Sequence, residues 1–382
     1  MKVLVAGGGT GGHIYPAVAV IESLKALSAS VEVVFVGTGR GLETGIVPSL
    51  GYRMYKIVAR PLPREKGPGF ILPALLAAVG LIQSIFVLMR ERPDAVIGTG
   101  GYASGPCVLA ASLAGTPTLF IEPNRVPGRT TMLLSRFVDE VALGFQECVR
   151  HFRKGTNLRV TGVPVRPGLL EIGRQSGAGR FELDPGRRTV FVFGGSRGAS
   201  SINKAIVDAV PALGERNDLQ FIIQTGAADY DYVSRLLGGA AIPCRVYPYI
   251  EDIGYAYAAS DLVVSRAGAV TIAELTARGL PAVLVPYPYA TGRHQDSNAL
   301  GLAEKEAAVV IDDKDLSGKR LAETIDYVIS DPERLARMSG ASRQMGKPEA
   351  SGQIAMRLVE LARRQGRLSK LGTVLSDLCS VK

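Results

Sequence analysis

Short β-branched runs alternate along the chain with stretches whose apolar residues recur at helical spacing. That alternation predicts parallel α/β sheets. In the first half the predicted strands are Val3–Ala6, Val31–Val36, Ala95–Gly98, Thr118–Ile121 and Glu140–Leu143. In the second half they are Thr189–Phe193, Gln220–Gln224, Leu262–Ser265, Ala282–Val285 and Ala308–Ile311. Between the halves, Gly162 to Arg188 is rich in Gly, Pro and Arg, lacks apolar periodicity and reads as a linker. Each half opens with a strand that runs into a glycine-rich turn and then a helix, KVLVAGGGTGGHIYPAVAV in the first and TVFVFGGSRGASSINKAIV in the second. The expectation is α/β with two Rossmann-like, doubly wound domains, residues 1–165 and 166–349, facing a central cleft at the carboxyl ends of both sheets. A last helical stretch, Ser351 to Arg364 within residues 350–365, is a candidate to pack back on the first domain, and residues 366–382 read as a tail.

One stretch stands apart from this pattern. From Gly67 to Met89 there is no charged residue, and by length the run is able to span a bilayer. Pro73 and Gly80 interrupt it, a strand follows at once, and Arg60, Arg64 and Lys66 on one side mirror Arg90 and Arg92 on the other. Basic residues at both ends set no orientation. The run is therefore expected to be a helix half-buried in the first domain, either a plain core helix or one that offers an apolar face to an anionic membrane surface. A strand at Lys2 also implies that no signal peptide precedes the fold.

The 382 residues are 47% apolar and 21% charged, which suits two globular cores. The net charge of +9 favours an anionic partner, but there is no Trp and aromatics are only 6%, so the interleaved basic and aromatic pattern of nucleic-acid binding is missing. Cys107, Cys148, Cys244 and Cys379 are far apart, and three histidines do not assemble a metal cluster by spacing. No metal is expected, and scattered cysteines suit a reducing compartment.

Gly7, Gly9 and Gly12 satisfy GxGxxG, but Val31–Val36 ends in Gly37-Thr38-Gly39 without the acid that would hold a dinucleotide ribose. A nicotinamide or flavin cofactor is disfavoured, the P-loop pattern is absent, and no cofactor is expected. What remains is general: glycines let the backbone approach a ligand, and helix N-termini offer amides to an anion. A third turn, Gly98 to Pro106, has the same strand-turn-helix setting, so the turns read as anion sites or as tight βα connections.

His13 follows Gly11 and Gly12 at a predicted helix start, where the helix dipole disfavours imidazolium. It reads as a neutral base for an attacking hydroxyl, or as a histidine that caps or packs on its own helix. His294, beside Gln295 in a polar loop before a helix, is a hydroxyl reader or an ordinary loop residue, and His151 is a surface position. Glu274, just inside a helix, suits ribose hydroxyls or simply favours the helix N-terminus. Glu122 and Asn124 end a strand at the sheet edge where open α/β sheets bind ligands.

Taken together, GGGTGGH, GTGGYASGP, GVPVR, GGSRGA, SRAGAVTIAEL and HQDSNA resemble the MurG family over nearly the whole chain, Val3 to about Arg364, in order and in spacing. The resemblance implies a GT-B fold and an inverting transfer of N-acetylglucosamine from UDP-N-acetylglucosamine to lipid I, giving lipid II for peptidoglycan, without a tightly bound metal. It places the nucleotide sugar mainly on the second domain and the lipid-linked acceptor on the first, at the cytoplasmic face of the membrane, with the uncharged run as the membrane patch. Other cell-wall synthesis proteins are candidate partners. By matching motif, Ser196 would contact the diphosphate, Arg166 would help fix the donor, Ile250 would lie against uracil, and Ala269, Val270 and Thr271 would serve uracil and phosphate. Glu274 would hold the ribose, and Gln295 with His294 would read the sugar. Thr10, Gly11, Gly12 and Asn124 would line the sugar and acceptor side, with Gly101, Tyr102 and Ser104 on the acceptor side, and His13 and Glu122 are the candidate catalytic residues.

The chain departs from the family where HEQN becomes Ile121-Glu122-Pro123-Asn124, and where GGSQGA becomes GGSRGA with Arg197 adding charge near the diphosphate. Rival readings keep the fold with a diacylglycerol or other glycolipid acceptor, or make the chain a non-catalytic nucleotide-sugar-binding subunit.

Overall fold

The ten predicted strands all form, each within a residue of its expected ends, and three more join them. They build a seven-stranded and a six-stranded sheet, parallel throughout. The computed structural model describes residues 1–60, 71–214 and 216–364. Arg64, Lys66, Cys379 and the 366–382 tail lie outside the described residues. The chain divides into two units, Met1–Arg166 joined by the chain from Glu349 onward, and Pro167–Pro348.

The first unit runs β1 (Lys2–Ala6), α1 (Gly11–Leu27), β2 (Glu32–Gly37), α2 (Glu43–Ser49), β3 (Arg53–Lys56) and α3 (Ile71–Glu91). It continues β4 (Ala95–Gly98), α4 (Ser104–Leu113), β5 (Thr118–Glu122), α5 (Arg129–Leu134), β6 (Glu140–Leu143) and β7 (Leu158–Val160). Its strand order is β3-β2-β1-β4-β5-β6-β7. Central strands such as β1 and β5 are buried on both faces, which is why they read as unbroken apolar runs.

The second unit opens with α6 (Pro167–Glu171), α7 (Arg174–Arg180), β8 (Arg188–Phe193), α8 (Ser200–Ala212), β9 (Leu219–Gln224), α9 (Tyr230–Leu237), β10 (Cys244–Tyr247) and α10 (Ile253–Ala259). It closes with β11 (Leu262–Ser265), α11 (Ala269–Arg278), β12 (Ala282–Leu284), α12 (His294–Ala303), β13 (Ala308–Val310), α13 (Gly318–Ile329) and α14 (Pro332–Met345). The order is β10-β9-β8-β11-β12-β13.

Two expectations change here. The stretch read as a linker holds α6 and α7, and one of its glycines serves close packing: a Cβ on Gly177 would lie 2.6 Å from the Tyr255 carbonyl on α10. Gly80 likewise does not break α3. A Cβ there would sit 2.3 Å from the Val58 carbonyl, so the glycine lets the helix approach that backbone.

From Ile71 onward the uncharged run folds as α3, half-buried as predicted. Val87 and Leu88 enter the core with Val36, Ile57 and Cys107, whereas Leu72, Leu75, Val79, Ile82, Phe86 and Met89 are exposed. No helix among the described residues is long and apolar enough to cross a membrane. The last helix, α15 (Ala350–Arg364), packs in the first unit: Ile354, Ala355, Leu358 and Val359 share a core with Ala17, Val20 and Ile21 of α1. Arg357 on α15 donates to the buried Glu140 carboxylate of β6 at 2.8 Å.

Candidate functional site

In the first unit, chain order reverses between β1 and β4, with β2 and β3 on one side and β5 to β7 on the other. The loops after those two strands flank the crevice in which doubly wound sheets bind ligands. They are the two glycine-rich turns of the first half. Gly8, Gly9, Gly100 and Gly101 all have positive φ, and a Cβ on Gly101 would lie 2.3 Å from the Gly8 carbonyl oxygen. Only glycine on that side allows the two backbones to touch.

His13, on the first turn of α1, points its ring into this junction. Its Nδ1 is 3.0 Å from the Gly8 carbonyl and 3.4 Å from Thr10 Oγ1. A carbonyl only accepts, so Nδ1 carries a proton, which in a neutral ring leaves the lone pair on Nε2. The ring edge lies against Gly100, where a Cβ would come within 3.0 Å of Nε2. Thr10 and Gly12 are exposed and Gly11 half-buried.

A residue that sequence reasoning passed over controls the same loop. The Gly9 amide donates to Glu43 Oε2 at 2.7 Å, and Thr38 donates to Glu43 Oε1 at 3.0 Å. Burial would push the Glu43 carboxyl up, but the backbone amides and Thr38 outweigh it and hold the group below its ordinary value. The anion held by the first glycine turn is thus the protein's own. No dinucleotide-type acid stands at the end of β2; the acid arrives from the start of α2 and binds backbone.

Ser104 corrects the acceptor-side assignment. It is fully buried, and its hydroxyl lies 2.7 Å from the Ala6 carbonyl and 2.5 Å from the Gly100 carbonyl, so it tightens the turn and does not face a ligand. Tyr102, by contrast, is 54% exposed. Glu122 is buried, and its two oxygens accept from the Asn124 amide and side chain, the Gly128 amide and the Thr131 hydroxyl. With its lone pairs spent on four donors, Glu122 anchors the loop that carries Asn124. Arg166 belongs to this unit, with its guanidinium over the Tyr15 ring of α1 at 4.9 Å.

The second unit reverses between β8 and β11. The helices that follow, α8 and α11, both begin without a side-chain cap, so their first-turn amides and positive dipole ends are presented at this edge. Ser196 and Arg197 are exposed in the β8–α8 loop. Gly198 brings that loop against the next: a Cβ on it would lie 1.9 Å from the Thr225 carbonyl. Ala269 is buried, while Val270 and Thr271 are half-buried in the first turn of α11. Glu274, one turn further along, is buried and accepts from the Tyr257 hydroxyl at 2.9 Å.

Gln224 and Arg266, neither singled out by the sequence reading, brace this edge. Buried Gln224 accepts from the Ile250 amide at 2.9 Å and donates to the Gly195 carbonyl at 3.1 Å, tying two loops together. Arg266 donates to Ser201 on α8, to the Val285 and Pro286 carbonyls and to Asp313. Its signal was present in SRAGAVTIAEL as a cation at the end of a strand. His294 and Gln295 open α12 instead of preceding it, and the Gln295 Oε1 accepts from the Tyr287 amide at 2.9 Å, which leaves its NH₂ as the outward group. Among the described residues no His, Cys, Asp and Glu group is arranged to hold a metal ion. Burial pushes the Cys107, Cys148 and Cys244 thiols up to about 12, so none is a thiolate at neutral pH.

Known proteins share this pattern. Residues 3–143 match the glycosyltransferase family 28 N-terminal domain, and residues 189–354 match the C-terminal domain of the same family. The chain therefore belongs to glycosyltransferase family 28, and its fold and turns are those of a sugar-transferring enzyme. Within that family it falls in the MurG group. It is 43% identical over 368 residues to the UDP-N-acetylglucosamine--N-acetylmuramyl-(pentapeptide) pyrophosphoryl-undecaprenol N-acetylglucosamine transferase of Desulforudis audaxviator, covering 95% of this chain and 99% of that protein. A protein of the same name from Chlorobium luteolum is 44% identical over 375 residues, covering 95% and 99%. Among solved structures, Acinetobacter baumannii MurG superposes with a TM-score of 0.74 at 27% identity, covering 94% of this chain and 99% of that one. A UDP-GlcNAc 2-epimerase from Neisseria meningitidis shares the fold at 16% identity, with a TM-score of 0.66 over 94% and 100% of the two chains.

Proposed function

We propose that the chain transfers N-acetylglucosamine from UDP-N-acetylglucosamine to the muramyl 4-hydroxyl of an undecaprenyl-pyrophosphoryl acceptor, converting lipid I to lipid II. One observation carries the donor half of this reading: two helices without side-chain caps, α8 and α11, start at the point where the second sheet reverses, with buried Glu274 one turn inside α11. First-turn amides and Ser196 hold the diphosphate. Ile250 lies against uracil, Ala269, Val270 and Thr271 contact uracil and phosphate, and Glu274 grips the ribose hydroxyls. Gln295 offers its NH₂ to the sugar beside His294.

The acceptor half belongs to the first unit. His13 Nε2 takes the proton of the attacking hydroxyl. The oxygen bonds to the anomeric carbon as the bond from that carbon to the β-phosphate oxygen breaks, and UDP leaves with the bonding electrons and its charge facing helix amides. Attack from the face opposite the leaving group gives the β linkage. Thr10, Gly11, Gly12, Gly101, Tyr102 and Asn124 line this side, and Glu122 holds Asn124 in place without reacting. The exposed apolar face of α3 sits on an anionic membrane as a peripheral contact at the cytoplasmic side, close to a lipid-linked substrate.

The test is an assay of UDP release by purified protein with UDP-N-acetylglucosamine, a chelator and either a lipid I analogue or diacylglycerol. Turnover with the lipid I analogue alone is expected. Turnover with diacylglycerol only, or donor binding without turnover on any acceptor, overturns the reading.

A further inference from the structure

We propose that Glu43 is the orienting carboxylate of His13 and acts on it through the single peptide group that joins Gly8 to Gly9. The Gly9 amide donates to Glu43 Oε2 at 2.7 Å, while the Gly8 carbonyl accepts from His13 Nδ1 at 3.0 Å. These are the two ends of one planar, resonance-coupled amide. A carboxylate on its N–H draws that proton and moves electron density toward its oxygen, which strengthens the oxygen as an acceptor; such chains gain about 10–30% per bond. The result is a carboxylate–peptide–imidazole series. It keeps the proton on Nδ1, leaves Nε2 as the basic atom, and stabilises the imidazolium formed when Nε2 takes a proton, as a directly bonded carboxylate does elsewhere. The proposal rests on the reading of His13 as the base.

The carboxylate is built in. Glu43 is 1% exposed, and three glycines close around it: a Cβ on Gly8, Gly37 or Gly41 would fall 2.8, 2.9 or 2.2 Å from its side-chain atoms. The strand end of β2, the β1–α1 loop and the start of α2 all leave room for this one group. A glutamine would still offer an oxygen to the Gly9 amide, so the bond to the loop persists, weakened, without the charge. The charge has a use if it is felt by the ring. Thr10, the Gly8 carbonyl and Gly100 are among the groups placed against that ring. Around the carboxylate stand Thr38 and the backbone amides of Gly9, Gly41 and Glu43 itself.

The experiment uses the full chain with Glu43→Gln, which keeps shape and acceptor oxygen and removes the charge. A fall in kcat of about tenfold is expected, with donor KM within about twofold, and the acid limb of kcat/KM moves to lower pH by about half a unit as the imidazolium loses support. Nitrogen-15 NMR of histidine-labelled protein, with His13→Ala assigning the signal, is expected to show the Nδ1-protonated tautomer in the wild type and a mixture in Glu43→Gln. Thr38→Val, which removes a neighbouring hydrogen bond but no charge, is expected to lower Tm and leave the acid limb in place. An unmoved limb in folded Glu43→Gln sinks the proposal, and so does a wild-type His13 protonated at Nε2, whatever the variant's stability. Full kcat in His13→Ala instead removes the base assignment, while the tautomer comparison still reports on the series itself.

Discussion

Gly101 leaves room for the Gly8 carbonyl, which a Cβ on Gly101 would approach to 2.3 Å, and that same carbonyl accepts from His13 Nδ1. A glycine on the β4–α4 loop thereby sets the ring on α1. Gly101→Ala adds a clash and puts a side chain at a φ of +79°, where non-glycine residues cost roughly 1–2 kcal/mol. A lower Tm is expected, together with a kcat at least about tenfold below wild type, because displacing the Gly8 peptide turns the imidazole. Steady-state kinetics beside thermal unfolding decide it, and wild-type kcat at a lowered Tm would show that the carbonyl's position is unimportant for turnover.

On the second unit the Tyr257 hydroxyl reaches Glu274 from α10, and both side chains are buried. Removing one hydrogen bond to a buried carboxylate costs about 1.5–3 kcal/mol when the carboxylate is charged. Tyr257→Phe is expected to raise donor Kd about tenfold by releasing Glu274 from the pose proposed to hold ribose, and Glu274→Ala to raise it further, while UDP itself weakens in parallel. Calorimetric titration with UDP and UDP-N-acetylglucosamine is the measurement. Unchanged UDP affinity in both variants would remove Glu274 from the donor site.

How much of this could be read in advance follows from burial. Central strands such as β1, β5, β8 and β11 carry their signal in unbroken apolar runs, because both faces are covered. The strands that escaped, β3, β7 and β10, stand at sheet edges, where one side meets solvent and the residues RMYK, LRV and CRVY mix polar with apolar. The glycines of residues 162–188 signalled a linker, yet at Gly177 they permit helix contact, and local composition does not separate the two. The switch-point turns were legible as glycine clusters. Glu43 was not, since it reaches the first turn from 34 residues away, and only the fold brings a helix start to a distant loop. Ser104 was legible as a motif residue but not as a buried one; its two carbonyl partners come from the fold.

Glu43 also gives the first unit a defined response to acid. Its carboxyl is held below its ordinary value against the opposing effect of burial, so the folded state binds its proton less readily than the unfolded chain does. Its contribution is complete above the ordinary value near 4.5 and is lost as pH falls through the lower folded value. In Glu43→Gln that part of the acid dependence is expected to flatten, with the variant less stable at neutral pH and approaching wild type below it. Urea unfolding from pH 7 down to about 3 follows the difference. A gap that widens with acid has the wrong sign and would mean that the carboxylate is not stabilised by those amides.

The exposed face of α3 tests the membrane reading. Leu72, Leu75, Val79, Ile82, Phe86 and Met89 recur at steps of three and four, which puts them along one side of the helix over roughly 25 Å. Monomeric soluble proteins rarely leave so continuous an apolar row uncovered. The opposite side is committed to the core through Val87 and Leu88, so the row does not turn inward without breaking that packing. Arg90, in the last turn, places positive charge at the end of the row, where an anionic headgroup would meet it. Phe86 and Met89 are each 66% exposed, so Phe86→Ser with Met89→Ser is expected to leave Tm near wild type. The same pair should weaken binding to vesicles containing anionic lipid about tenfold or more, since each lost side chain forfeits part of the roughly 1.5–3 kcal/mol that full burial is worth. Co-sedimentation separates the contributions: the apolar term persists at high salt, and the basic term fades as the ionic atmosphere screens it. Equal binding of wild type and double variant, at low salt and high, would mean that α3 does not meet the bilayer. Activity on a short-chain, water-soluble acceptor should survive the same substitutions, because they touch neither the β1–α1 turn nor the start of α11.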